Sequence, residues 1–220
     1  MSVTMSLPPA PRRELFTDEQ HEYRESYARF LQSEVVPNYK EWHDAQIVPR
    51  ELFQKCAEHG FLALEVPEEY GGNGIDDWRF NVVLGEESVR AGVGDAMGGP
   101  MLHSDVVLPY LTGSANEEQK RRWMPGIASG ETILAVAMTE PGTGSDLAGI
   151  KTHAKRDGDT FVINGAKTFI TNGINADLVV VAARTSEDPH AGLSMIAVER
   201  GAEGFERGKQ IEKLGQHASD

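Results

Sequence analysis

The sequence is poor in cysteine and in basic residues. Its one cysteine, Cys56, allows no disulfide within the 220-residue chain, which suits a reducing compartment, and we expect a cytoplasmic protein. No run of about 18 apolar residues is present, so no membrane span is predicted. The 21 lysines and arginines face 34 aspartates and glutamates, a net charge of −13. Because nucleic acids are bound by clustered cations, this balance argues against a nucleic-acid partner but leaves small anionic ligands open.

Metal-binding and nucleophile motifs are also missing. The seven histidines are scattered, and none stands in a metal-ligand spacing such as His-Glu-x-x-His. No serine carries the glycine-flanked sequence of a nucleophile elbow. The residues therefore predict neither a metal centre nor a serine hydrolase. His103 and His217 could approach a ligand, although a packing or surface role is commoner for a lone histidine.

The pattern of apolar residues changes once along the chain. Helical spacing dominates up to Gly130, and extended segments follow. Residues 133–138 are apolar on both faces, as in a covered strand, and residues 178–183 and 193–198 predict two further strands. These changes predict a flexible tail over 1–13, a helical domain over 14–130 and a β domain over 131–220.

A hairpin is predicted around Asn164-Gly165, because Asn-Gly is favoured in two-residue turns between strands. Its strands would be residues 161–163 and 167–171. The second strand would carry Phe169 and Thr171, which stand two apart and so share a face.

A glycine-rich loop directly follows the first predicted strand. It reads Thr-Glu-Pro-Gly-Thr-Gly-Ser-Asp over residues 139–146. Glycine lets the backbone approach a ligand closely, and successive N–H groups can form an anion-binding concavity. Alone, such glycines also fit ordinary turns, so the interpretation depends on the second segment, residues 167–173.

Together, residues 137–146 and 165–173 resemble the flavin-binding signature of the acyl-CoA dehydrogenases. Residues 65–72 resemble the turn after the family's second helices, and residues 102–110 are similar to its long-chain branch. The resemblance implies an α+β fold, with an all-helical N-terminal domain followed by a small antiparallel β-barrel or sandwich. The family's C-terminal helical bundle is expected to be absent from this chain, and the full-length protein to be a homo-oligomer.

The resemblance also implies a reaction, the FAD-dependent α,β-dehydrogenation of a fatty acyl-CoA thioester. Electrons would pass to an electron-transferring flavoprotein. An acyl-CoA oxidase or a flavin monooxygenase of the same architecture is an alternative that oxygen consumption would identify. A non-catalytic binding or assembly module left by truncation is another, which a colourless protein that binds no acyl-CoA would favour.

Site residues are implied position by position. The polar edge of the flavin would meet Met138 and Thr139, and Phe169 would pack beside the ring. The Thr171 hydroxyl would lie near the flavin N5 atom, and Ser145 would lie between the FAD pyrophosphate and the pantetheine of the substrate. The full set implied to bind FAD is Val136, Met138, Thr139, Gly144, Ser145, Phe169, Ile170 and Thr171.

No catalytic residue is assigned to this chain. In the resembling family the base lies in the C-terminal domain, so we expect the chain alone to be catalytically silent. Glu140 lies inside the motif, and we expect it to organise the loop rather than to act as the base.

Overall fold

A computed structural model describes residues 12–188 and 191–220. The tail predicted over 1–13 lies outside these residues, apart from Arg12 and Arg13. The first part of the described chain is helical and the second part holds a β-sheet, so the predicted order of the two parts is confirmed.

The helical part is built from short helices and two π-helical turns. Thr17 begins it with a capping box, because its side chain accepts from the backbone N–H of Gln20 and the Gln20 side chain accepts in return. No helix in the described ranges is long and apolar enough to cross a membrane. The elements are α1 (Asp18–Phe30), a π turn (Leu31–Val35), α2 (Tyr39–Ala45), α3 (Glu51–Glu58), a 3₁₀ turn (Glu68–Tyr70), α4 (Arg79–Arg90), α5 (Gly98–Met101), a second π turn (Leu102–Val107), α6 (Leu108–Ser114) and α7 (Glu117–Ala128).

Five strands form one mixed sheet in the described residues. Strand β4 is central, because it pairs parallel with β1, antiparallel with β5, and at Arg184 with the first residue of β2. Strands β2 and β3 form an antiparallel hairpin. The strands are β1 (Leu134–Ala137), β2 (His153–Asp157), β3 (Thr160–Asn164), β4 (Leu178–Arg184) and β5 (Leu193–Glu199), with a 3₁₀ turn at Leu147–Gly149.

The antiparallel prediction was wrong for β1 and β4. These strands run parallel, with Leu134 beside Leu178 and Ala137 beside Val181. The connection between them is long and contains the β2–β3 hairpin, so the chain can return to the same end of the sheet, as parallel pairing requires.

The predicted hairpin turn was also wrong. The chain turns at Gly158, where φ is 59°, and not at Asn164-Gly165. The two loop residues are Gly158 and Asp159, since Asp157 pairs with Thr160. Gly-Asp is also a two-residue turn signal, so local sequence could not choose between the two. Residues 167–171 form a loop rather than a strand, because Phe169 has a φ of 57°.

The two faces of the sheet have different partners, since alternate residues of a strand point to opposite sides. Leu134 and Val180 join the helical core, in which Tyr27, Phe53 and Leu108 are each no more than 1% exposed. The other face carries a smaller cluster, made of Ala135, Ala137, Ala176, Val179 and Val181 with Ile170, Val198 and Phe205 against it. The helical part therefore packs against one face of the sheet. The second face is contacted by Ile170 and Phe205, which lie in loops.

Candidate functional site

The two segments that the sequence singles out lie side by side. The Thr168 backbone N–H donates to the Thr139 carbonyl at 2.9 Å. The Lys167 ammonium donates to the Met138 carbonyl at 3.0 Å. Both bonds are made at the end of β1, so the fold brings the predicted flavin contacts of the first segment next to the second.

Residues 140–146 form a tight loop at this strand end. Glu140 and Thr143 exchange backbone hydrogen bonds of 2.9 and 3.1 Å, and the Thr143 hydroxyl donates to the Gly149 carbonyl at 3.0 Å. The Asp146 carboxylate accepts from the Ala148 N–H at 3.2 Å. These bonds fix both ends of the loop and leave its tip exposed.

The glycines of the loop are not explained by the described chain itself. A Cβ on Gly142 or Gly144 would meet nothing within 4 Å, and neither residue has a positive φ. Gly165 differs, because a Cβ there would collide with the Thr152 side chain. Open glycines beside a strand end suit the close approach of a ligand to the backbone.

Several polar groups of residues 139–145 and 171 have no hydrogen-bond partner among the described residues. They include the hydroxyls of Thr139, Ser145 and Thr171 and the backbone N–H groups of Gly144 and Ser145. Ser145 and Gly144 are exposed, and Thr139 and Thr171 are half-buried. Donors that the fold leaves unused are available to an oxygen-rich ligand.

Phe169 is held in an unusual position. Its φ of 57° lies in the left-handed region, and its side chain is 71% exposed. Such a backbone costs about 1–3 kcal/mol for a residue other than glycine, and it is typical of functional loops. Ile170, the next residue, packs instead against the alanine-rich face of the sheet. The loop therefore presents one aromatic ring outward and is anchored by its neighbour.

A cavity of about 1510 Å³ opens on the second face of the sheet. Phe169, Ile170 and Thr171 line it, together with residues of β4, β5 and the segment 202–211. The other predicted contacts do not line it, and the Val136 side chain packs against the helical core. The predicted set is thus divided: three residues line the cavity, Gly144 and Ser145 lie on the exposed loop, Met138 and Thr139 directly follow β1, and Val136 faces the helical core.

Glu140 is surrounded by donors. Its carboxylate accepts from the N–H groups of Lys151 and Thr152, both at 2.8 Å, and from the Lys167 ammonium at 2.9 Å. Burial alone would raise the pKa of Glu140, but hydrogen bonds from Thr152, Lys151 and Lys167 outweigh it and lower the pKa to about 2. The expectation that Glu140 organises the loop is confirmed by these bonds.

Sequence reasoning missed the residues that support the site. Asn172, which has a φ of 63°, donates from its side-chain amide to the carbonyls of Gly99 and Leu134, each at 3.0 Å. The only local signal was the Asn172-Gly173 dipeptide, which is typical of turns. Its partners lie in α5 and β1, so no pattern near residue 172 could have named them.

The two histidines that the sequence offers as possible ligand contacts, His103 and His217, contact other residues of the chain. His103 is fully buried, and its Nδ1 atom accepts from the Leu134 N–H at 3.1 Å. The ring of His217 packs on that of His43 with centroids 4.8 Å apart. Within residues 12–188 and 191–220, no three His, Cys, Asp or Glu side chains are placed to hold a metal ion.

Two family models match almost all of the chain. The model described as "Acyl-CoA dehydrogenase, N-terminal domain" matches residues 17–131, and "Acyl-CoA dehydrogenase, middle domain" matches residues 135–220. The chain is also 41% identical over 211 residues to the mitochondrial long-chain specific acyl-CoA dehydrogenase of Sus scrofa, covering 94% of this chain and 48% of that protein.

Solved structures of acyl-CoA dehydrogenases also match the chain. The crystal structure of an acyl-CoA dehydrogenase from Geobacillus kaustophilus matches with a TM-score of 0.90 and 46% identity, over 95% of this chain and 55% of that one. An acyl-CoA dehydrogenase complexed with FAD from Bacillus anthracis matches with a TM-score of 0.81 and 31% identity, over 96% of this chain and 36% of that one. The chain spans about half the length of the curated relatives it matches.

Proposed function

This chain belongs to the acyl-CoA dehydrogenase family, and from that premise we propose that it binds FAD and serves in the α,β-dehydrogenation of a fatty acyl-CoA thioester. The observation that carries the proposal is the contact between the end of β1 and residues 167–171, through the Thr168–Thr139 and Lys167–Met138 hydrogen bonds. These are the two segments that the family signature assigns to the flavin.

The residues present fit FAD. The cofactor has a polar ring edge and a pyrophosphate, and both need donors. The hydroxyls of Thr139, Ser145 and Thr171 and the N–H groups of Gly144 and Ser145 have no partner among the described residues and are free to serve as these donors. The exposed ring of Phe169 offers an aromatic surface to the flavin. The open space beside Gly142 and Gly144 admits a ligand close to the backbone.

Each residue then has a binding or orienting task. Met138 and Thr139 would hold the polar edge of the flavin ring, Phe169 and Ile170 would pack at its side, and the Thr171 hydroxyl would donate to the ring. Val136 would contribute through its backbone, since its side chain packs against the helical core. Gly144 and Ser145 would hold the pyrophosphate, and Ser145 would also contact the pantetheine of the substrate. When bound, FAD supplies the redox chemistry by accepting the hydride that leaves the β carbon of the thioester.

No base for the α proton is assigned within the described residues. Glu140 is the carboxylate nearest in sequence to the proposed contacts, but three donors occupy its oxygens. A general base works best with a pKa near the operating pH, whereas hydrogen bonding outweighs burial and holds the pKa of Glu140 at about 2. Its task is to hold the strand end and residue 167 together.

The proposal also covers the substrate, the electron acceptor, the assembly and the location of the protein. We assign a long-chain substrate, an electron-transferring flavoprotein as partner, a homo-oligomeric assembly and a cytoplasmic location. The long-chain assignment rests on residues 102–110 and on the pig relative. The location rests on the cysteine content alone, and the name of the pig relative places that protein in mitochondria. Oxygen consumption without an added electron acceptor would favour an acyl-CoA oxidase instead.

Removal of the Thr171 hydroxyl tests the cofactor site. Thr171→Val nearly keeps the shape of the side chain and removes one polar partner, so FAD binding should weaken by about 1–3 kcal/mol, or about 5- to 150-fold in Kd. A titration followed by flavin fluorescence measures this change. Thr132→Val makes the same change two residues before β1, away from the loop, and should bind FAD as the unmodified chain does. Equal affinities in both variants would remove Thr171 from the site, and an unmodified chain that binds no FAD would refute the proposal.

Ser145→Ala tests the anionic end of the site. The Ser145 hydroxyl has no partner among the described residues, so its loss should leave the melting temperature unchanged. FAD or acyl-CoA should bind more weakly by about 1 kcal/mol, the usual contribution of one hydrogen bond. Calorimetry with each ligand measures both affinities, and no change in either would withdraw Ser145 from the site.

A further inference from the structure

Residues 172–177, which directly follow the Phe169 loop, are held by charged side chains from both sides. On the N–H side, the Asp220 carboxylate accepts three backbone hydrogen bonds. They come from Asn172 at 3.0 Å, Ile174 at 2.7 Å and Asn175 at 3.1 Å. Charge-assisted bonds of this kind are about twice as strong as neutral ones, so one carboxylate fixes the conformation of this turn.

Arginine side chains donate hydrogen bonds to the carbonyl oxygens of the same turn. Each of three consecutive carbonyls has its own guanidinium donor, and the pairs are Arg200 with Ile174 at 3.5 Å, Arg50 with Asn175, and Arg207 with Ala176 at 2.7 Å. An anion on the N–H side and cations on the carbonyl side both match the direction of the peptide dipoles. The turn is therefore stabilised electrostatically as well as by packing.

The segment that carries Asp220 is itself fixed. Ala218 is completely buried in the helical core, and its backbone N–H donates to the Asp95 carboxylate at 3.2 Å. Lys213 donates to the carbonyl of Ser219. Asp95 precedes α5, so the helical part of the chain holds the carboxylate in place beneath the turn.

The turn at residues 172–177 also determines the conformation of the Phe169 loop that precedes it. Phe169 and Asn172 both have left-handed backbones, with φ of 57° and 63°, and they enclose Ile170 and Thr171. A left-handed backbone is strained for phenylalanine and more readily adopted by asparagine. Asp220 fixes Asn172 in this conformation by accepting the N–H of that residue, and the Gly173 N–H closes the loop onto the Ile170 carbonyl at 2.9 Å.

We propose that Asp220 is a positioning residue for the flavin, acting through the backbone of residues 172–175 on the contacts made by Phe169, Ile170 and Thr171. The inference rests on the proposed function, because it takes those residues as the flavin contacts. In this role Asp220 acts through the turn, because its carboxylate oxygens accept the N–H groups of Asn172, Ile174 and Asn175, although the residue also lines the cavity. Loss of the Asp220 carboxylate should make the loop more mobile. The side chains of Phe169, Ile170 and Thr171 would then no longer be held in the orientation that contacts the flavin.

The first experiment needs no flavin. Asp220→Asn puts an amide NH₂ group where an oxygen accepted, and Asp220→Ala removes both acceptors. Amide hydrogen exchange over residues 169–176 should become at least about tenfold faster in both variants, with α3 unchanged. Asp76→Asn is the matched control, because Asp76 is exposed and makes no side-chain hydrogen bond within the described residues. Unchanged exchange in the Asp220 variants would overturn the proposal.

The second experiment separates positioning from general support. FAD titrations should give a Kd at least about tenfold higher for Asp220→Asn, with part of the affinity restored in Asp220→Glu. At saturating FAD, the absorbance bands of the bound flavin should shift in Asp220→Asn and remain native in Asp76→Asn. Faster exchange with a native Kd and spectrum would overturn the positioning role. If the unmodified chain binds no FAD, the proposed function fails instead, whatever the Asp220 variants do.

Discussion

Replacing Glu140 with alanine should lower the free energy of unfolding by about 3–5 kcal/mol, the usual result of breaking one side of a buried ion pair. Glu140 is 7% exposed and the Lys167 side chain 11%, and their charged atoms are 2.9 Å apart. Truncation leaves that ammonium without its anion and also leaves the N–H groups of Lys151 and Thr152 without an acceptor. Each lost partner adds a desolvation penalty. The measurement is urea-induced unfolding at neutral pH.

Two comparisons make the Glu140 test specific. Glu212→Ala removes an exposed carboxylate that makes no side-chain hydrogen bond in the described structure, so it should change stability by less than about 0.5 kcal/mol. Lys167→Met, added to Glu140→Ala, removes the orphaned charge and should recover part of the loss, because the two residues are coupled. A loss in Glu140→Ala no larger than in Glu212→Ala would show that the carboxylate does not organise the loop.

The Glu140 result also has a pH signature. Hydrogen bonding outweighs burial and lowers the pKa of Glu140 from its model-compound value of 4.5 to about 2 in the folded chain. A carboxyl group whose pKa is lower in the folded chain than in the unfolded chain stabilises the fold at pH values above its unfolded-state pKa. This stabilisation is lost as the pH falls through the folded-state pKa. The difference in stability between the unmodified chain and Glu140→Gln should therefore shrink between pH 4.5 and about 2.

The site was predictable to the extent that it lies in contiguous sequence. The loop after β1 and residues 167–173 each carry enough glycine, hydroxyl and aromatic side chains to be recognised together, and the fold does bring them into contact. The conformation of the second segment was not predictable. The alternation of Phe169 and Thr171 fits a strand, whereas Phe169 and Asn172 both have left-handed backbones, and the hydrogen-bond partners of Asn172 lie far away in sequence.

Strand pairing failed for a similar reason. Asn164-Gly165 and Gly158-Asp159 are both favourable two-residue turns, and the observed one pairs β2 with β3 so that Ala154 lies beside Ile163. The parallel pairing of β1 with β4 likewise depends on the path of the intervening loop and not on either strand. Asp220 could not be found from its neighbours, because its three partners lie in another loop. Tertiary contacts, which leave no local periodicity, decide these features.

His103 should make the chain lose stability as the pH falls from about 6.5 to about 4. Complete burial lowers the pKa of His103 from 6.5 to about 4, and its Nδ1 atom is already used as an acceptor for the Leu134 N–H. Between these two values the unfolded chain binds a proton that the folded chain does not, so unfolding becomes easier as the pH decreases. The full difference amounts to about 3 kcal/mol. The window of Glu140 runs from 4.5 to about 2, so the two windows overlap only between about pH 4 and pH 4.5, and the His103 effect can be measured alone above pH 4.5.

The His103 prediction is checked by urea unfolding at several pH values between 7 and 4. His103→Asn keeps an acceptor near the position of Nδ1 and removes the titrating group, so it should be less stable at pH 7 but nearly flat across this window. His153→Asn alters an exposed histidine and should retain the slope of the unmodified chain. A His103→Asn slope equal to that of the unmodified chain would show that another group is responsible. Because His103 accepts from the first residue of β1, we expect acid to weaken the contact between the helical part and the strand that precedes the proposed flavin contacts.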